Sequence, residues 1–314
     1  MGPIVVRRFL QTIPLLLLIS VLAFALVQLL PGDPAVAIAG DQASRERVEE
    51  IREELGLDDP IVERYGRWLG RVLRGDLGES IITGRDLRSE IWRKLPITGS
   101  LAGGAILFAL LLGVPVGVIQ GTHPGGRVDR FFQLGTSLGL SIPNFWLGTI
   151  LVTIFAAILP WMPAFGYVGI TESPFEWARH LTLPVITLGV FAAAELARQV
   201  RAGLLAVQGE NYIRTAWAKG LKPSRVVGRH ALKNAAMPAV TILGVRMGRM
   251  LAGSVIVEAI FAMPGVGKMT IDAVFNRDFT AIQAVVLFAA VVVVMINLAV
   301  DLVYALLNPK VRVG

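Results

Sequence analysis

The chain has 314 residues, of which 54% are hydrophobic and 17% are charged, and its formal net charge is +7. Ordinary soluble domains are about 45–50% apolar and about 25% charged, so this composition argues against a soluble globular protein and more strongly against a disordered one. A basic chain can indicate a nucleic-acid binder. In a chain this apolar, the positive charge is better explained by the cytoplasmic loops of a membrane protein. The absence of cysteine excludes disulfides and thiolate metal sites.

Six apolar runs of about 20 residues predict six transmembrane helices. The runs are Phe9–Leu30, Leu101–Gln120, Leu134–Leu159, Leu181–Leu205, Met237–Ile260 and Ala284–Leu307. Pro143 and Asn144 interrupt the third run. The first run spans 22 residues, which exceeds the roughly 7–15 apolar residues of a cleaved signal peptide. We therefore expect it to remain as a membrane span.

The segment between the first two runs, residues 31–99, is long enough to be translocated whatever its charge. Ser44 is placed to cap a helix that continues to Leu55 and stops at Gly56, and a second amphipathic helix is predicted over Ile61–Leu73. We expect these helices to form a small folded cap on the outer side. The predicted domains are residues 1–96, the first span with the cap, and residues 97–314, a five-helix core.

Glycines recur at four-residue spacing in several of the runs. The sets are Gly99/Gly103, Gly113/Gly117/Gly121, Gly135/Gly139 and Gly244/Gly248. Because such spacing permits two helix backbones to approach closely, it predicts tight helix packing in this part of the chain.

The positive charge is concentrated in one loop. Residues 198–236 contain eight Lys or Arg and one acidic residue, Glu210, and their sum of +7 equals the net charge of the whole chain. Both chain ends are also basic, whereas residues 160–180 sum to −1 and residues 261–283 to zero. The positive-inside rule then places both termini and this basic loop in the cytoplasm.

No arrangement typical of catalysis or metal binding occurs in the sequence. Residues 265–268 resemble part of a phosphate loop, but Ala262 replaces the first glycine and Met269 the Ser or Thr. The three histidines lack ligand spacing, and no nucleophile–base motif is present. We therefore expect no catalytic residue, no metal site and no bound cofactor on this chain.

Charged residues inside the predicted spans are further candidates, because they are costly in a membrane and usually face a bundle interior or a cavity. Arg246 and Arg249 share one face of the fifth span, and Arg246 lies near its middle. Asp301 lies about 9 Å from the inner end of the last span at a rise of about 1.5 Å per residue. Two interpretations stay open: Arg246 and Asp301 form a structural ion pair, or these residues line a transport pathway.

The basic loop contains the most informative segment, with the sequence ENYIRTAWAKGL at 210–221. It predicts a short helix from Asn211 with Tyr212, Ala216 and Lys219 along one side, ended by Gly220. A proline then begins a new helix at position 223. The short helix could lie on anionic lipid. Alternatively it could dock a soluble partner, with the small Ala216 and Ala218 allowing close approach.

Together with RHALKNAAMP at 229–238, this segment resembles the EAA loop of the permeases of ABC importers. The matching residues are Tyr212, Arg214, Thr215, Ala216, Ala218, Lys219, Gly220, His230, Asn234 and Pro238. Trp217 stands where many members carry a smaller or charged residue. Further motifs are similar to the dipeptide, oligopeptide and nickel branch of that family. They are LPGDP at 30–34, GDLG at 75–78, PGVG at 264–267 and NPKVR at 308–312.

The resemblance implies an all-α polytopic membrane protein with six transmembrane helices, both termini cytoplasmic and a MetI-like type I permease core. It implies that the ATPase-coupling loop consists of Glu210, Tyr212, Arg214, Thr215, Ala216, Ala218, Lys219 and Gly220. The implied setting is the cytoplasmic membrane of a bacterium or archaeon. The implied partners are a second homologous permease in a heterodimer, two ATPases that bind ATP and Mg, an external substrate-binding lipoprotein and the lipid bilayer, without nucleic acid.

The function that the resemblance implies is ATP-driven uptake of di- or oligopeptides by alternating access. Nickel or another small solute is the alternative substrate within the same family. A secondary transporter driven by an ion gradient is less favoured, because such transporters are typically built from inverted repeats and the sequence shows no convincing internal repeat.

Overall fold

A computed structural model of the chain describes residues 2–29, 33–40 and 43–307. Side chains are described for all of these except residues 2–10, 37, 236–243, 245–247, 249 and 301–307. The helices are α1 (Gly2–Leu29), α2 (Pro34–Ala39), α3 (Arg45–Glu54), α4 (Ile61–Leu73), α5 (Leu87–Thr122), α6 (Arg127–Ser141), α7 (Asn144–Val152), α8 (Pro174–Gln208), α9 (Asn211–Ala218), α10 (Pro223–Arg225), α11 (Leu232–Ile260), α12 (Val266–Phe275) and α13 (Phe279–Leu307). π-Helical turns follow α7 (Thr153–Ile158) and α10 (Val226–Ala231). Within these ranges, β-type pairing is limited to one isolated bridge between Glu79 and Asp86, which confirms the predicted all-α class.

Four helices are long and apolar enough to cross a membrane: α1 over Gln11–Leu29, α5, α8, and α13 over Phe279–Val300. A fifth candidate is α6 together with α7 and its π-helical turn, bent by 101°. The predicted fifth span lies in the continuous helix α11, but many of its side chains lie outside the described ones. The count of six spans and the cytoplasmic position of the termini therefore stay predictions.

The chain divides into two compact units, Met1–Ile97 with Pro264–Met295, and Thr98–Met263 with Ile296–Gly314. The boundaries predicted from the sequence, at residues 1–96 and 97–314, stay a prediction about domains. The first unit contains the loop helices α3 and α4, and the second contains the basic loop.

In the first unit, both predicted loop helices form where the sequence indicates. The amide of Arg47 donates to the Ser44 hydroxyl at 3.3 Å, so Ser44 caps α3 as expected. The apolar side of α4 packs on α1, with the rings of Tyr65 and Trp68 at 5.5 and 5.7 Å from the Phe24 ring. This aromatic cluster fixes α4 against the end of the first span.

A buried carboxylate, Asp278, holds the beginning of α13 in the first unit. It accepts hydrogen bonds from the Ser80 hydroxyl at 2.5 Å and from the amides of Ile81 and Ala281 at 3.3 and 3.0 Å. These bonds join the loop after α4 to the start of α13. Ser80 and Asp278 lie 198 residues apart in the sequence.

We expect Asp278→Ala to lower the stability of the solubilised protein by about 2–3 kcal/mol, because it removes a charge-assisted acceptor and leaves its buried donors unpaired. Asp272→Ala is the matched control, since that carboxylate is exposed and pairs with Lys268 on one helix. Thermal unfolding of both variants tests this. Equal melting temperatures for the two variants would contradict the role given to Asp278.

In the second unit, the glycines of α5 face α8 at contact distance. A Cβ atom at Gly113 or Gly117 would lie 2.6 Å from the carbonyl oxygen of Ala193 or Ala197, and one at Gly121 would lie 2.8 Å from Leu204 Cβ. The tight packing predicted from this spacing is confirmed here. At Gly99, Gly103 and Gly135 a Cβ would meet no atom of the described residues within 4 Å, so this spacing makes no close helix contact there within that part of the chain.

The bend between α6 and α7 has a local cause. Pro143 provides no amide hydrogen, and the residue before a proline is driven to an extended conformation. Ile142 adopts that conformation, with φ −81° and ψ 122°. The interruption of the third apolar run predicted at Pro143 and Asn144 is therefore present, as a break of the helix direction.

Candidate functional site

The short helix α9 begins and ends where the sequence predicts. Glu210 is extended at its start, and its carbonyl accepts from the amides of Ile213 and Arg214 at 3.0 and 3.1 Å. After Lys219 the chain turns at Gly220, which has a φ of +70°. This left-handed conformation is readily available to glycine and costly for most other residues. Pro223 then begins α10, also as predicted.

The orientation of Ala216 is not the one expected from the sequence. Ala216 is 5% exposed and Ile213 is 1% exposed, and both lie in the core of the second unit. Their neighbours in this cluster are Leu196, Val200, Leu204, Val226, Ala231 and Ala235. The prediction that Ala216 allows a partner to approach is therefore wrong. Ile213 and Ala216 form the apolar side of an amphipathic helix. The small Ala216 side chain packs against other residues of this chain and not against a partner.

The opposite side of α9 is open to solvent. Tyr212 and Trp217 are 39% and 47% exposed, and Arg214, Thr215 and Ala218 are exposed as well. We call these five residues the α9 surface. The exposed cations around it are Lys219, Lys222, Arg225, Arg229 and Lys233. The result is a positively charged surface with two exposed aromatic rings, and Tyr, Trp and Arg are residue types that are enriched at protein interfaces.

An ion pair near the end of α8 joins that helix to α6. The Arg201 guanidinium donates from Nε to Oδ1 of Asp129 at 3.0 Å and from Nη2 to Oδ2 at 2.9 Å. The amide of Gly125 donates to the same carboxylate at 2.9 Å. Asp129 is completely buried. Sequence reasoning counted Arg201 as loop charge and did not consider Asp129, which lies 72 residues away.

Two further contacts attach the loop to its neighbours. The Gln208 amide donates to the carbonyl of Gly121 at 2.7 Å, which ties the end of α8 to α5. The Asn234 amide donates to the Tyr212 hydroxyl at 3.0 Å, which ties α9 to the start of α11. The helix α9 is thus bonded directly to α11 and follows α8 in the chain, and α8 is in turn bonded to α5, so a displacement of α9 is expected to move these helices with it.

Gln120, at the inner end of the second predicted span, is completely buried, and neither its amide nitrogen nor its amide oxygen has a partner in the described part of the chain. Such a group costs about 1–3 kcal/mol. We therefore expect Gln120→Leu to raise the melting temperature of the solubilised protein. Gln208→Leu is the control, which should lower it because that amide is bonded. A fall of similar size in both variants would contradict this assignment.

The remaining predicted candidates are Arg246, Arg249 and Asp301. Their backbones lie in α11 and α13, but their side chains lie outside the described residues. The Arg246–Asp301 pair and a role in the transport pathway both stay predictions.

Comparison with known proteins identifies the family of the chain. Residues 113–313 match the family described as "Binding-protein-dependent transport system inner membrane component", and residues 1–102 match its N-terminal companion, "Binding-prot-dependent transport system membrane comp, N-term". The chain belongs to this family of transport permeases. The permease is accordingly a multi-pass membrane protein, and the resemblance seen in the sequence is confirmed.

Relatives cover the permease from end to end. It is 40% identical over 316 residues to a putative peptide transport system permease of Brucella abortus (strain 2308), covering 99% of each chain. It is 38% identical over 315 residues to the oligopeptide permease AppB of Bacillus subtilis (strain 168), covering 99% of this chain and 100% of that one. It is 38% identical over 308 residues to the glutathione permease GsiC of Escherichia coli O6:H1 (strain CFT073), covering 98% of each.

A solved structure shares the fold of the permease. This is an inward-facing conformation of the MetNI methionine ABC transporter, with a TM-score of 0.58 and 21% identity, and the match covers 69% of the permease and 96% of that chain. The MetI-like fold implied by the resemblance is therefore confirmed.

Proposed function

We propose that this permease is one of two membrane subunits of an ATP-driven peptide importer and that α9 is the element by which an ATPase subunit moves it. The observation that carries the proposal is the α9 surface, which is exposed, basic and aromatic while its other side is fixed in the core. The relatives named as peptide, oligopeptide and glutathione permeases support a peptide substrate.

The coupling loop comprises Glu210, Tyr212, Arg214, Thr215, Ala216, Ala218, Lys219 and Gly220, in two roles. The α9 surface, which also includes Trp217, and the exposed Lys219 contact the ATPase, and Glu210, Ala216 and Gly220 give the loop its shape. ATP and Mg bind to the two ATPases rather than to this chain. When the ATPases close, they push α9, and the attached helices move as a rigid group that alternates access to the two membrane faces.

The remaining partners of the importer are a homologous permease that completes a heterodimer in the cytoplasmic membrane and an external substrate-binding lipoprotein. The family description supports this assembly, because its members are named as components of binding-protein-dependent transport systems. Nickel, the alternative substrate, would be transported through the same assembly.

Co-purification tests the assembly. The permease is co-expressed with candidate ATPases and a candidate second permease from the same genome, solubilised in detergent and isolated through a tag on this chain. We expect both ATPases to be retained, and a charged replacement of Trp217 to release them. Isolation of the intact permease without any ATPase would overturn the proposal.

Competition for uptake identifies the substrate class. Di-, tri- and pentapeptides are offered in excess against a labelled peptide, with Ni²⁺ as the competing alternative. Inhibition by peptides of one length range is the expected result. Inhibition by Ni²⁺ but by no peptide would replace the peptide assignment with the nickel one.

A further inference from the structure

The break between α6 and α7 opens into a cavity of about 360 Å³ in the second unit. Its walls include Ser141 and Asn144 at the break, Leu188 and Phe191 from α8, and Met250 and Gly253 from α11. Pockets that bind small ligands typically measure about 300–1,000 Å³ and combine apolar walls with a few polar groups. This cavity has that size and composition.

The polar groups of the cavity come from the broken helix. At the end of α6 the carbonyl of Leu138 accepts from the amide of Ile142 at 3.1 Å, whereas Pro143 has no N–H to offer the carbonyl of Gly139. The Asn144 side-chain amide makes no hydrogen bond within the described residues, although it is half-buried. Irregular backbone at membrane depth is tolerated where it is buried in protein or lines a water-filled cavity, and the unbonded Asn144 amide belongs to the lining of this cavity.

The lining determines what kind of solute those groups suit. The described residues that line the cavity are all uncharged. Among them, a metal cation would find no carboxylate or imidazole ligand. A primary amide and backbone carbonyls can instead accept from and donate to a peptide group, while the walls of leucine, phenylalanine and methionine accept an apolar side chain.

Gly253 keeps the cavity open on the α11 side. A Cβ atom at this position would lie 3.1 Å from Leu188 Cδ1 and 3.8 Å from the Asn144 amide nitrogen. A larger side chain at this position would fill the space between Leu188 and Asn144.

We infer that this cavity, the break cavity, holds a peptide group of the transported solute during its passage, with Asn144 as the residue that recognises it. The inference rests on the proposed function as a peptide importer. It adds a binding position within this chain and a reason why the position suits amides rather than metal ions.

Cysteine labelling tests the inference directly, because the natural chain contains no cysteine. Asn144→Cys is introduced into the complete importer in proteoliposomes and treated with a small maleimide while a transported peptide, the binding protein and ATP are supplied. We expect the labelling rate to fall at least threefold with the transported peptide and to be unchanged by Ni²⁺. Phe145→Cys is the matched control, since that neighbouring side chain is exposed and does not line the cavity.

Labelling at position 144 that is absent in every condition, or that the transported peptide leaves unchanged while uptake proceeds, would overturn the inference and leave the importer assignment intact. Failure of every peptide to be taken up would instead overturn the proposed function. If the Asn144→Cys variant does not assemble into the importer, the inference is tested instead by measuring peptide uptake with the Asn144→Leu variant. Loss of the amide should then raise the KM for peptide about tenfold with little change in kcat, and an unchanged KM would count against the break cavity.

Discussion

Replacing Trp217 by glutamate is expected to abolish uptake while the permease stays folded. Trp217 protrudes from the α9 surface at 47% exposure, and exposed tryptophans at interfaces commonly contribute more than about 2 kcal/mol to binding. Glutamate in its place removes the ring and adds a negative charge to a basic surface. We expect the affinity for the ATPase to fall by about thirtyfold or more, measured by titrating purified ATPase onto the permease in nanodiscs.

Trp92→Glu is the matched control, because Trp92 is also exposed but belongs to the first unit and lies far from the loop in the sequence. It should bind ATPase normally. Unfolding is monitored in both variants by size-exclusion chromatography. Normal ATPase binding by a folded Trp217→Glu protein would show that the α9 surface is not the docking element.

The orientation of α9 also decides which substitutions are informative. A bulky charged residue at Ala216 would enter the buried cluster around Leu204 and damage the fold itself. A loss of uptake in such an Ala216 variant could therefore not be assigned to lost ATPase docking rather than to misfolding. Ala218 is exposed on the same helix, so Ala218→Trp should block docking by its size while the core stays intact.

Removing Arg201 should destabilise the protein by about 3–5 kcal/mol, because it leaves the completely buried Asp129 carboxylate without compensation. Removing Asp129 should cost less, because the Arg201 side chain is 27% exposed. Arg201→Lys should also be harmful, since an ammonium group cannot reproduce the two parallel hydrogen bonds. Replacing both residues with apolar ones of similar volume, as in Asp129→Leu with Arg201→Met, should recover part of the stability. Thermal unfolding in detergent provides the measurement.

Arg198→Ala on the same helix is the control, because that side chain is exposed and its loss should shift the melting temperature little. The functional readout is the amount of peptide transported per ATP hydrolysed. We expect the apolar double variant to keep ATPase binding but to transport less per ATP, since α6 and α8 would then be held together by apolar packing without the ion pair. A melting temperature of Asp129→Ala equal to that of Arg198→Ala would contradict the role of the pair.

Local sequence signals predicted the parts of the fold that depend on neighbouring residues. Ser44 caps α3, Gly220 ends α9 and Pro143 breaks the third run because each effect acts within a few residues. The family resemblance was equally accessible, since its motifs are short and contiguous.

Features that depend on contacts between distant segments could not be predicted. The side to which Ala216 points is set by Leu204 and Val226, which the fold brings to α9. The Asp129–Arg201 pair and the contact of Asp278 with Ser80 join residues that lie far apart in the chain. Glycine spacing was ambiguous for the same reason: at Gly117 another helix lies opposite, and at Gly135 no atom of the described residues lies within 4 Å.

The central claim, that α9 couples this permease to ATP hydrolysis, is tested most directly by uptake into proteoliposomes that contain the complete importer and its binding protein. With ATP on the ATPase side and no ion gradient, we expect labelled peptide to accumulate, and Trp217→Glu to stop the accumulation. Peptide uptake that proceeds without ATP and requires an ion gradient would contradict the account and identify a secondary transporter instead.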